Sequence, residues 1–287
     1  MKFQSCSLEQ FWNFLFYNFT KNKYLYKMQE KLKIALIQSD LVWENPKENR
    51  MHFTEKINSI SQEVDLIILP EMFTTGFTMH ASNLAETMEG ESVKWMLEMA
   101  KKSNAAIVGS LIITEDNKYY NRLLFVHPEG EIELYDKRHT FTLAGEDKVY
   151  QAGNKKIIVA YKGWKICPLV CYDLRFPVWA RNTEDYDLLL YVANWPKPRI
   201  TAWDALLKAR AIENMTYCVG VNRVGLDINN YEYSGSSAVY DVLGKKISNI
   251  ALGKEQTEIV TLDKNHLKKY RERLQFLGDK DAFNLIA

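Results

Sequence analysis

The sequence predicts a layered α/β domain with mixed sheets. Short apolar runs typical of strands alternate along the chain with segments whose apolar residues recur at helical spacing, and hairpin turns join strands in the middle of the chain. There is no Gly/Ser/Pro-rich spacer, low-complexity tract or fixed-period repeat. We therefore expect one domain over residues 31–287, preceded by an N-terminal extension over residues 1–30.

Composition limits the function classes. A chain of 287 residues with 47% hydrophobic residues can bury a sizeable core. The 37 Lys and Arg balance the 36 Asp and Glu, so we expect neither nucleic acid nor an anionic membrane as a partner. The 4 cysteines form no CxxC pair and no histidine has ligand spacing, which argues against a disulfide framework or a metal site and predicts a reducing, cytoplasmic compartment. Small-molecule chemistry is favoured.

The N-terminal residues have an unusual composition. The segment from Phe11 to Phe19 is strongly aromatic, but Asn13 and Asn18 interrupt it and no small-residue cleavage site follows, so a secretory signal fits poorly. The sequence contains no uninterrupted run of about 18 or more apolar residues, so a transmembrane helix is not expected. We expect a dispensable extension, or a start codon assigned too far upstream, because Met28 stands just before the first strand.

Local signals mark the elements of the first half. Asn45 and Pro46 supply an N-cap and a first-turn proline, so a helix is predicted to begin there, with Phe53, Ile57 and Ile60 on its packing face. Further predicted elements are strands over 32–38, 65–69, 105–114, 119–127 and 132–135, a helix over 92–102 and a hairpin turn at 128–130.

The second half begins with a predicted loop over 140–151, which is long enough to be functional. Strands over 156–161 and 164–170 form a predicted hairpin around Lys162-Gly163. Thr201 is the expected N-cap of a helix that runs to about residue 215, with Trp203 and Leu207 on its buried face. Further predicted elements are strands over 187–193, 217–221, 236–240, 246–250 and 257–262 and a helix over 264–274.

Cys171 stands where the apolar strand 164–170 gives way to a turn and then to a helix that Pro177 can begin. Such an elbow can hold a nucleophile rigidly and still expose it. Nearby cations or a helix N-terminus are expected to lower the pKa of its thiol, and the backbone N–H of Tyr172 can help to bind an oxyanion. A lone buried cysteine, however, is more often an inert core residue.

Three further residues have both a chemical and a structural interpretation. Glu71 follows an apolar strand and is either a general base or a carboxylate that caps a helix or pairs with an arginine. Lys137 either stabilises a tetrahedral intermediate or is a solvated lysine beside Asp136. His139 either forms a Cys-His dyad with Cys171 or is an exposed turn histidine. No glycine-rich phosphate loop is present.

Several motifs occur in a fixed order: PE at residues 70–71, YDKRH at 135–139, CYDLRFP at 171–177 and KARAIEN at 208–214. Together they resemble the nitrilase superfamily of carbon–nitrogen hydrolases, from about residue 31 to the C-terminus, and within it most closely the omega-amidases. The resemblance implies a four-layer α-β-β-α sandwich, usually dimeric, that hydrolyses non-peptide C–N bonds without a cofactor.

The resemblance also implies roles for residues. It makes Glu71 the base, Lys137 the stabiliser of the intermediate and Cys171 the nucleophile, and Glu146 in the loop is the match for a second glutamate that orients the lysine. Arg175 matches an arginine that binds a substrate carboxylate, although an ion pair with Asp173 is the alternative. Val178-Trp179 departs from the acidic residue of many related amidases, and Trp195 is either a wall of the substrate pocket or simple packing.

We therefore predict a cytosolic, homodimeric omega-amidase that hydrolyses the terminal amide of a small acid such as 2-oxoglutaramate through a Cys171 thioester. Another superfamily amidase, or an N-carbamoyl amino acid amidohydrolase, is the enzymatic alternative. A catalytically silent binding protein on the same fold is the non-enzymatic one.

Overall fold

The computed structural model describes residues 29–285. The predicted extension, with Met28 and Cys6, lies outside the described residues except for its last two positions. Gln29 O accepts a hydrogen bond from Trp164 Nε1 at 3.0 Å. Glu30 O accepts one from Lys264 N at 2.8 Å. Contacts with the domain are therefore present from the first described residue onward.

Strands and helices alternate, as predicted. The strands of residues 29–285 are β1 Lys31–Gln38, β2 Leu66–Ile68, β3 Ala106–Glu115, β4 Lys118–Val126, β5 Ile132–Asp136, β6 Val159–Tyr161, β7 Trp164–Val170, β8 Leu188–Ala193, β9 Tyr217–Asn222, β10 Val224–Leu226, β11 Glu232–Ser234, β12 Ala238–Tyr240 and β13 Gln256–Asp263. The helices are α1 Pro46–Asn58, α2 Ala81–Leu84, α3 Glu91–Ser103, α4 Pro177–Ala180, α5 Ile200–Glu213 and α6 Lys264–Leu274. Within this range, no helix has both the length and the apolar character needed to span a membrane.

Two mixed sheets form the centre of the domain. One has six strands in the order β13-β1-β2-β3-β4-β5, and the other has five in the order β12-β9-β8-β7-β6. Each sheet contains a parallel trio, β1-β2-β3 in the first and β7-β8-β9 in the second, which antiparallel strands flank. Glu71 follows one parallel trio strand and Cys171 follows another, at the strand ends where α/β folds build sites.

Alternation along β1 shows how the layers stack. Leu32, Ile34 and Leu36 point into the core between the two sheets, whereas Ala35 and Ile37 point into the core beneath α1 and α3. The outer face of the second sheet is covered by α5, whose Trp203 and Leu207 are fully buried. Each such side chain contributes about 1.5–3 kcal/mol by leaving water. The order helix, sheet, sheet, helix confirms the predicted four-layer sandwich.

Most predicted elements are present with small differences at their ends. Asn45 caps α1, with its Oδ1 accepting from Glu48 N at 3.2 Å. Thr201 is not a cap, because the 3-10 turn Lys197–Arg199 leads directly into α5 and places Arg199 at the capping position. The predicted strand over 246–250 is also wrong: Lys246 contributes only an isolated bridge to Tyr240.

Candidate active site

Glu71 lies in the turn after β2 and is fully buried. Its Oε1 accepts hydrogen bonds from Lys137 Nζ and from Asn121 Nδ2, each at 2.8 Å, and its Oε2 accepts one from Asn194 N at 2.8 Å. Asn194 also donates its side-chain amide to Glu71 O at 2.6 Å. The carboxylate is thus held by β4, by the end of β5 and by the end of β8, which fixes its position.

Lys137 lies between two carboxylates. Besides Glu71, its Nζ contacts Glu146 Oε1 at 3.0 Å and Glu146 Oε2 at 2.9 Å, so all three ammonium donors have partners. Although burial opposes the charge, the neighbouring Glu146 and then Glu71 raise the pKa of Lys137. The two carboxylates therefore favour the ammonium form of this buried side chain.

Glu146 is held by the loop that contains it. Gly145 has φ +75°, the left-handed conformation that glycine adopts readily, and the chain turns there into the 3-10 turn Glu146–Lys148. Glu146 Oε2 accepts from Phe141 N at 2.6 Å, and its Oε1 accepts from Asn121 Nδ2 at 3.1 Å. Burial is the main cause that raises the pKa of Glu146. One ammonium between two carboxylates leaves the cluster with excess negative charge.

Cys171 begins the 3-10 turn Cys171–Arg175 directly after β7 and has φ +44°. A cysteine in this left-handed region is strained, as expected for a nucleophile held at a sharp elbow. Its Sγ lies 4.0 Å from Asn194 O. Burial, followed by the charge of Glu71, raises the pKa of Cys171 well above that of a free thiol. The predicted lowering of this pKa is therefore wrong, because Lys137 does not outweigh those two effects.

The elbow has the predicted order of strand, turn and helix. Pro177 does occupy the first turn of a helix, but α4 is only 4 residues long and the 3-10 turn separates it from Cys171. The N–H groups at the start of a helical turn have no partner within that turn. The N–H of Tyr172 is therefore positioned as a donor by the 3-10 turn.

Asp173 connects the elbow to the segment that contains Lys137. Its fully buried carboxylate accepts from Val170 N at 3.0 Å, from Tyr135 Oη at 2.7 Å and from His139 N at 2.9 Å. These bonds tie the turn after β7 to both ends of the 135–139 segment. Cys171 and Lys137 are thus positioned relative to each other by one carboxylate.

The same contacts correct two sequence-based alternatives. Asp173 bonds to Tyr135 and His139, and no ion pair joins it to Arg175 in the described part of the chain. His139 Nδ1 lies 2.8 Å from Asp173 Oδ1, and the imidazole stacks on Phe176 with ring centroids 3.7 Å apart. Its side chain is only 22% exposed, and no hydrogen bond joins it to Cys171 among residues 29–285. The structure therefore supports neither the exposed turn histidine nor the Cys-His dyad.

Helix α5 packs against the elbow and bonds to it. Arg210 is 3% exposed, and its Nη2 donates to Leu174 O at 2.6 Å while its Nη1 contacts Glu213 Oε1 at 2.9 Å. Arg210 therefore lies on the buried side of α5, and its partner Glu213 is half-buried.

A cavity of about 350 Å³ opens in front of Cys171. Lys137 and Cys171 line its base, and Tyr172, Arg175 and Trp195 line its walls. The guanidinium Cζ of Arg175 lies 5.0 Å from the centroid of the Trp195 ring. All seven predicted site residues therefore belong to one place: five line the cavity, and Glu71 and Glu146 lie directly behind Lys137.

Comparison with known proteins decides the family. The model of the carbon-nitrogen hydrolase family matches residues 33–272. The chain belongs to the carbon–nitrogen hydrolase family. It is therefore a hydrolase of C–N bonds, and the resemblance to the nitrilase superfamily and its omega-amidases is confirmed.

Individual relatives agree with this assignment. The carbon–nitrogen hydrolase described here is 46% identical over 254 residues to omega-amidase YafV of Escherichia coli strain K12, which covers 88% of this chain and 98% of that protein. It is 33% identical to 2-oxoglutaramate amidase of Bacillus subtilis, over 76% of this chain and 86% of the relative. Among solved structures, XC1258 of Xanthomonas campestris, a CN-hydrolase superfamily protein with an arsenic adduct in its active site, superposes with a TM-score of 0.87 at 42% identity, over 90% of this chain and 100% of the other.

Two asparagines that contact the charged cluster of this hydrolase were not predicted from the sequence. Asn121 donates to both Glu71 and Glu146, and Asn194 holds both the backbone and the carboxylate of Glu71. The available signal is weak: each is an asparagine beside an apolar strand segment. Within residues 29–285, no group of three or more His, Cys, Asp or Glu side chains is arranged to hold a metal ion.

Proposed function

We propose that the protein is an omega-amidase that hydrolyses the terminal amide of small 2-oxo acid amides, such as 2-oxoglutaramate, to the acid and ammonia. The observation that carries the proposal is the buried network of Glu71, Lys137 and Glu146 at the base of a cavity that contains Cys171 and a half-buried arginine, Arg175. The names of the relatives from Escherichia coli and Bacillus subtilis support the same reaction.

The first step is acylation of Cys171. Because the raised pKa keeps Cys171 a thiol at rest, its proton must leave as Sγ attacks the amide carbon. Glu71 Oε2 accepts one hydrogen bond from Asn194 N and retains a lone pair, so it can take that proton. Collapse of the tetrahedral intermediate then breaks the C–N bond, and Glu71 returns the proton to the departing nitrogen, which leaves as ammonia.

The negative oxygen of the intermediate needs donors. Tyr172 N–H and Lys137 Nζ are the candidates, and removing one such donor typically costs about 2.7–4 kcal/mol of transition-state stabilisation. The three N–H groups of Lys137 are already bonded, two of them to Glu146. Lys137 must therefore release one bond to Glu146 in order to bind the oxyanion directly. The role of Glu146 is to position the lysine until the oxyanion forms.

Hydrolysis of the thioester completes the reaction. A water molecule attacks the thioester carbon while Glu71 removes one of its protons, and the C–S bond breaks to give the carboxylic acid. The proton on Glu71 returns to the Cys171 thiolate, so that enzyme and charge are restored. No cofactor is needed for this sequence.

The experiment measures ammonia release from 2-oxoglutaramate by the wild type, Cys171→Ala and Cys167→Ala. Cys167 is the matched control because it is a buried thiol on β7 that lies outside the cavity lining. We expect Cys171→Ala to lose essentially all activity while Cys167→Ala remains active. Acid-quenched wild type should carry the mass of one acyl group on the peptide that contains Cys171.

Other outcomes separate the alternatives. Ammonia release from a carbamoyl amino acid or another amide, but not from 2-oxoglutaramate, would assign a different amidase activity. Equal rates for wild type and Cys171→Ala would reject the mechanism, and no turnover of any amide would favour a silent binding protein. The cytosolic location and the homodimer stay predictions; size-exclusion chromatography with light scattering tests the second.

A further inference from the structure

A second arginine lines the same cavity. Arg199 ends the 3-10 turn Lys197–Arg199 that follows β8 and Trp195, and its guanidinium Cζ lies 5.1 Å from the centroid of the Phe141 ring. Trp195 Nε1 donates to Arg199 O at 2.8 Å, which connects the two arginine-bearing walls. Each guanidinium therefore lies over its own aromatic ring: Arg175 over Trp195 and Arg199 over Phe141.

Neither guanidinium has a carboxylate partner among residues 29–285, whereas five other arginines of this range do. Arg122 pairs with Asp136 and Arg223 pairs with Asp40. One carboxylate, that of Asp227, also lines the cavity. Its Oδ1 accepts hydrogen bonds from two backbone N–H groups of its own turn, at 2.9 and 3.0 Å, and its Oδ2 accepts one from Tyr233 Oη at 3.1 Å. The cavity walls therefore hold two cations whose charge is available to a ligand.

Two guanidinium groups in one small cavity repel each other, and an anion between them relieves that repulsion. The planar fork of arginine matches a carboxylate and binds it bidentately. The position of Arg199 is also linked to the chemistry, because the ring beneath it belongs to Phe141, whose N–H donates to Glu146 at 2.6 Å. Negative charge thus lies behind Lys137 at the base of the cavity, and positive charge lies on its walls.

We propose that Arg199 is a second anion-binding residue, which with Arg175 holds the carboxylate and the adjacent 2-oxo oxygen of the substrate. The inference rests on the proposed function and assigns a residue that determines its specificity. A 2-oxo oxygen accepts hydrogen bonds from a guanidinium, whereas the ammonium of a 2-amino acid amide is repelled by two cations. Arg199 therefore selects 2-oxo acid amides over 2-amino acid amides such as glutamine.

The test compares Arg199→Met with Lys197→Met. Lys197 is the matched control because it carries the same charge in the same turn, is 53% exposed, pairs with Glu232 at 2.8 Å and lies outside the cavity lining. Three amides are assayed: 2-oxoglutaramate, glutamine and uncharged butyramide. Loss of a charge-assisted bond predicts a fall of about 10- to 100-fold in kcat/KM for 2-oxoglutaramate, mainly through KM, and a smaller fall for butyramide. Lys197→Met should match the wild type.

Calorimetric binding of 2-oxoglutarate, the product, separates failure of this inference from failure of the proposed function. If the wild type fails to hydrolyse 2-oxoglutaramate but binds 2-oxoglutarate, and Arg199→Met weakens that binding, the proposed reaction is wrong and the anion site stands. Equal binding by wild type and Arg199→Met, no binding by the wild type, or equal losses on 2-oxoglutaramate and butyramide would overturn the inference. Circular dichroism checks folding, and Arg199→Lys should recover part of the lost affinity.

Discussion

The base and the walls of the cavity differ in how their charged side chains are paired. At the base, Lys137 is 1% exposed and each of its donors meets a carboxylate oxygen of Glu71 or Glu146. On the walls, Arg175 and Arg199 are half-buried and lie over aromatic rings without a carboxylate partner among the described residues. In the proposed mechanism, the base holds the reacting groups in place before substrate arrives, whereas the walls keep charge available for the substrate itself.

This difference predicts different kinetic signatures. Groups at the base act when a proton moves or a negative charge develops, so their loss should lower kcat. Groups on the walls bind the part of the substrate that does not react, so their loss should mainly raise KM. The four variants below test that division, from the largest expected effect to the smallest.

Glu71→Gln should have the largest effect. A glutamine cannot accept the proton of the Cys171 thiol, whose raised pKa makes a base necessary, so we expect kcat to fall by about 10²- to 10⁴-fold. KM for 2-oxoglutaramate should change far less. Steady-state ammonia release, with folding checked by circular dichroism, provides the measurement. A rise in KM with little loss of kcat would show that Glu71 belongs with the walls and break the division.

Glu146→Gln should separate activity from stability. The pKa of Glu146 is raised in the folded protein, so its carboxylate contributes stability at acidic pH, below its unfolded value of about 4.3, and that contribution is lost as pH rises through the folded value. At neutral pH the buried charge therefore opposes folding. We expect Glu146→Gln to lower kcat while its Tm at pH 7 equals or exceeds that of the wild type.

Lys137→Met is the matched contrast for that variant. It leaves two buried carboxylates without their shared cation, so it should destabilise the fold by about 3–5 kcal/mol. Thermal unfolding of both variants at pH 5 and pH 7 distinguishes the cases. If Glu146→Gln were the less stable of the two at pH 7, the excess negative charge assigned to the base would be refuted.

The sequence is sufficient for the order of the layers and for the principal reacting residues. Apolar alternation locates β1 and β7, and an N-cap with a first-turn proline locates the start of α1. Glu71, Lys137 and Cys171 were recognisable through ordered motifs that resemble the nitrilase superfamily, and Glu146 through the resemblance of the loop that follows the lysine. Such features depend on neighbours along the chain, and therefore they can be read from the chain.

Contacts between distant segments could not be predicted in this way. Asn121 reaches Glu71 across 50 residues within the six-stranded sheet, and Asn194 reaches it across 123 residues from the end of a strand of the other sheet. Their roles therefore depend on the strand order of one sheet and on the packing of the two sheets. The sequence left open an ion pair between Asp173 and Arg175 of the same turn, but the Asp173 carboxylate bonds to the 135–139 segment instead. The pKa of Cys171 shifts upward for the same reason: burial and a distant carboxylate are properties of the fold.

Trp195→Phe should have the smallest effect, and it tests the walls alone. Phenylalanine keeps a ring beneath Arg175 but weakens the cation–π contact and removes the Nε1 donor to Arg199 O, so KM should rise by about 2- to 5-fold. The control is Trp203→Phe, the same change in the neighbouring ring 5.5 Å away, whose Nε1 donates to Ser236 O outside the cavity lining. Leaving that buried acceptor unpaired costs about 1–3 kcal/mol of stability and should lower Tm rather than raise KM. If both variants changed only Tm, Trp195 would be simple packing. The affinity of the walls for the substrate would then come from the two arginines and not from the rings beneath them.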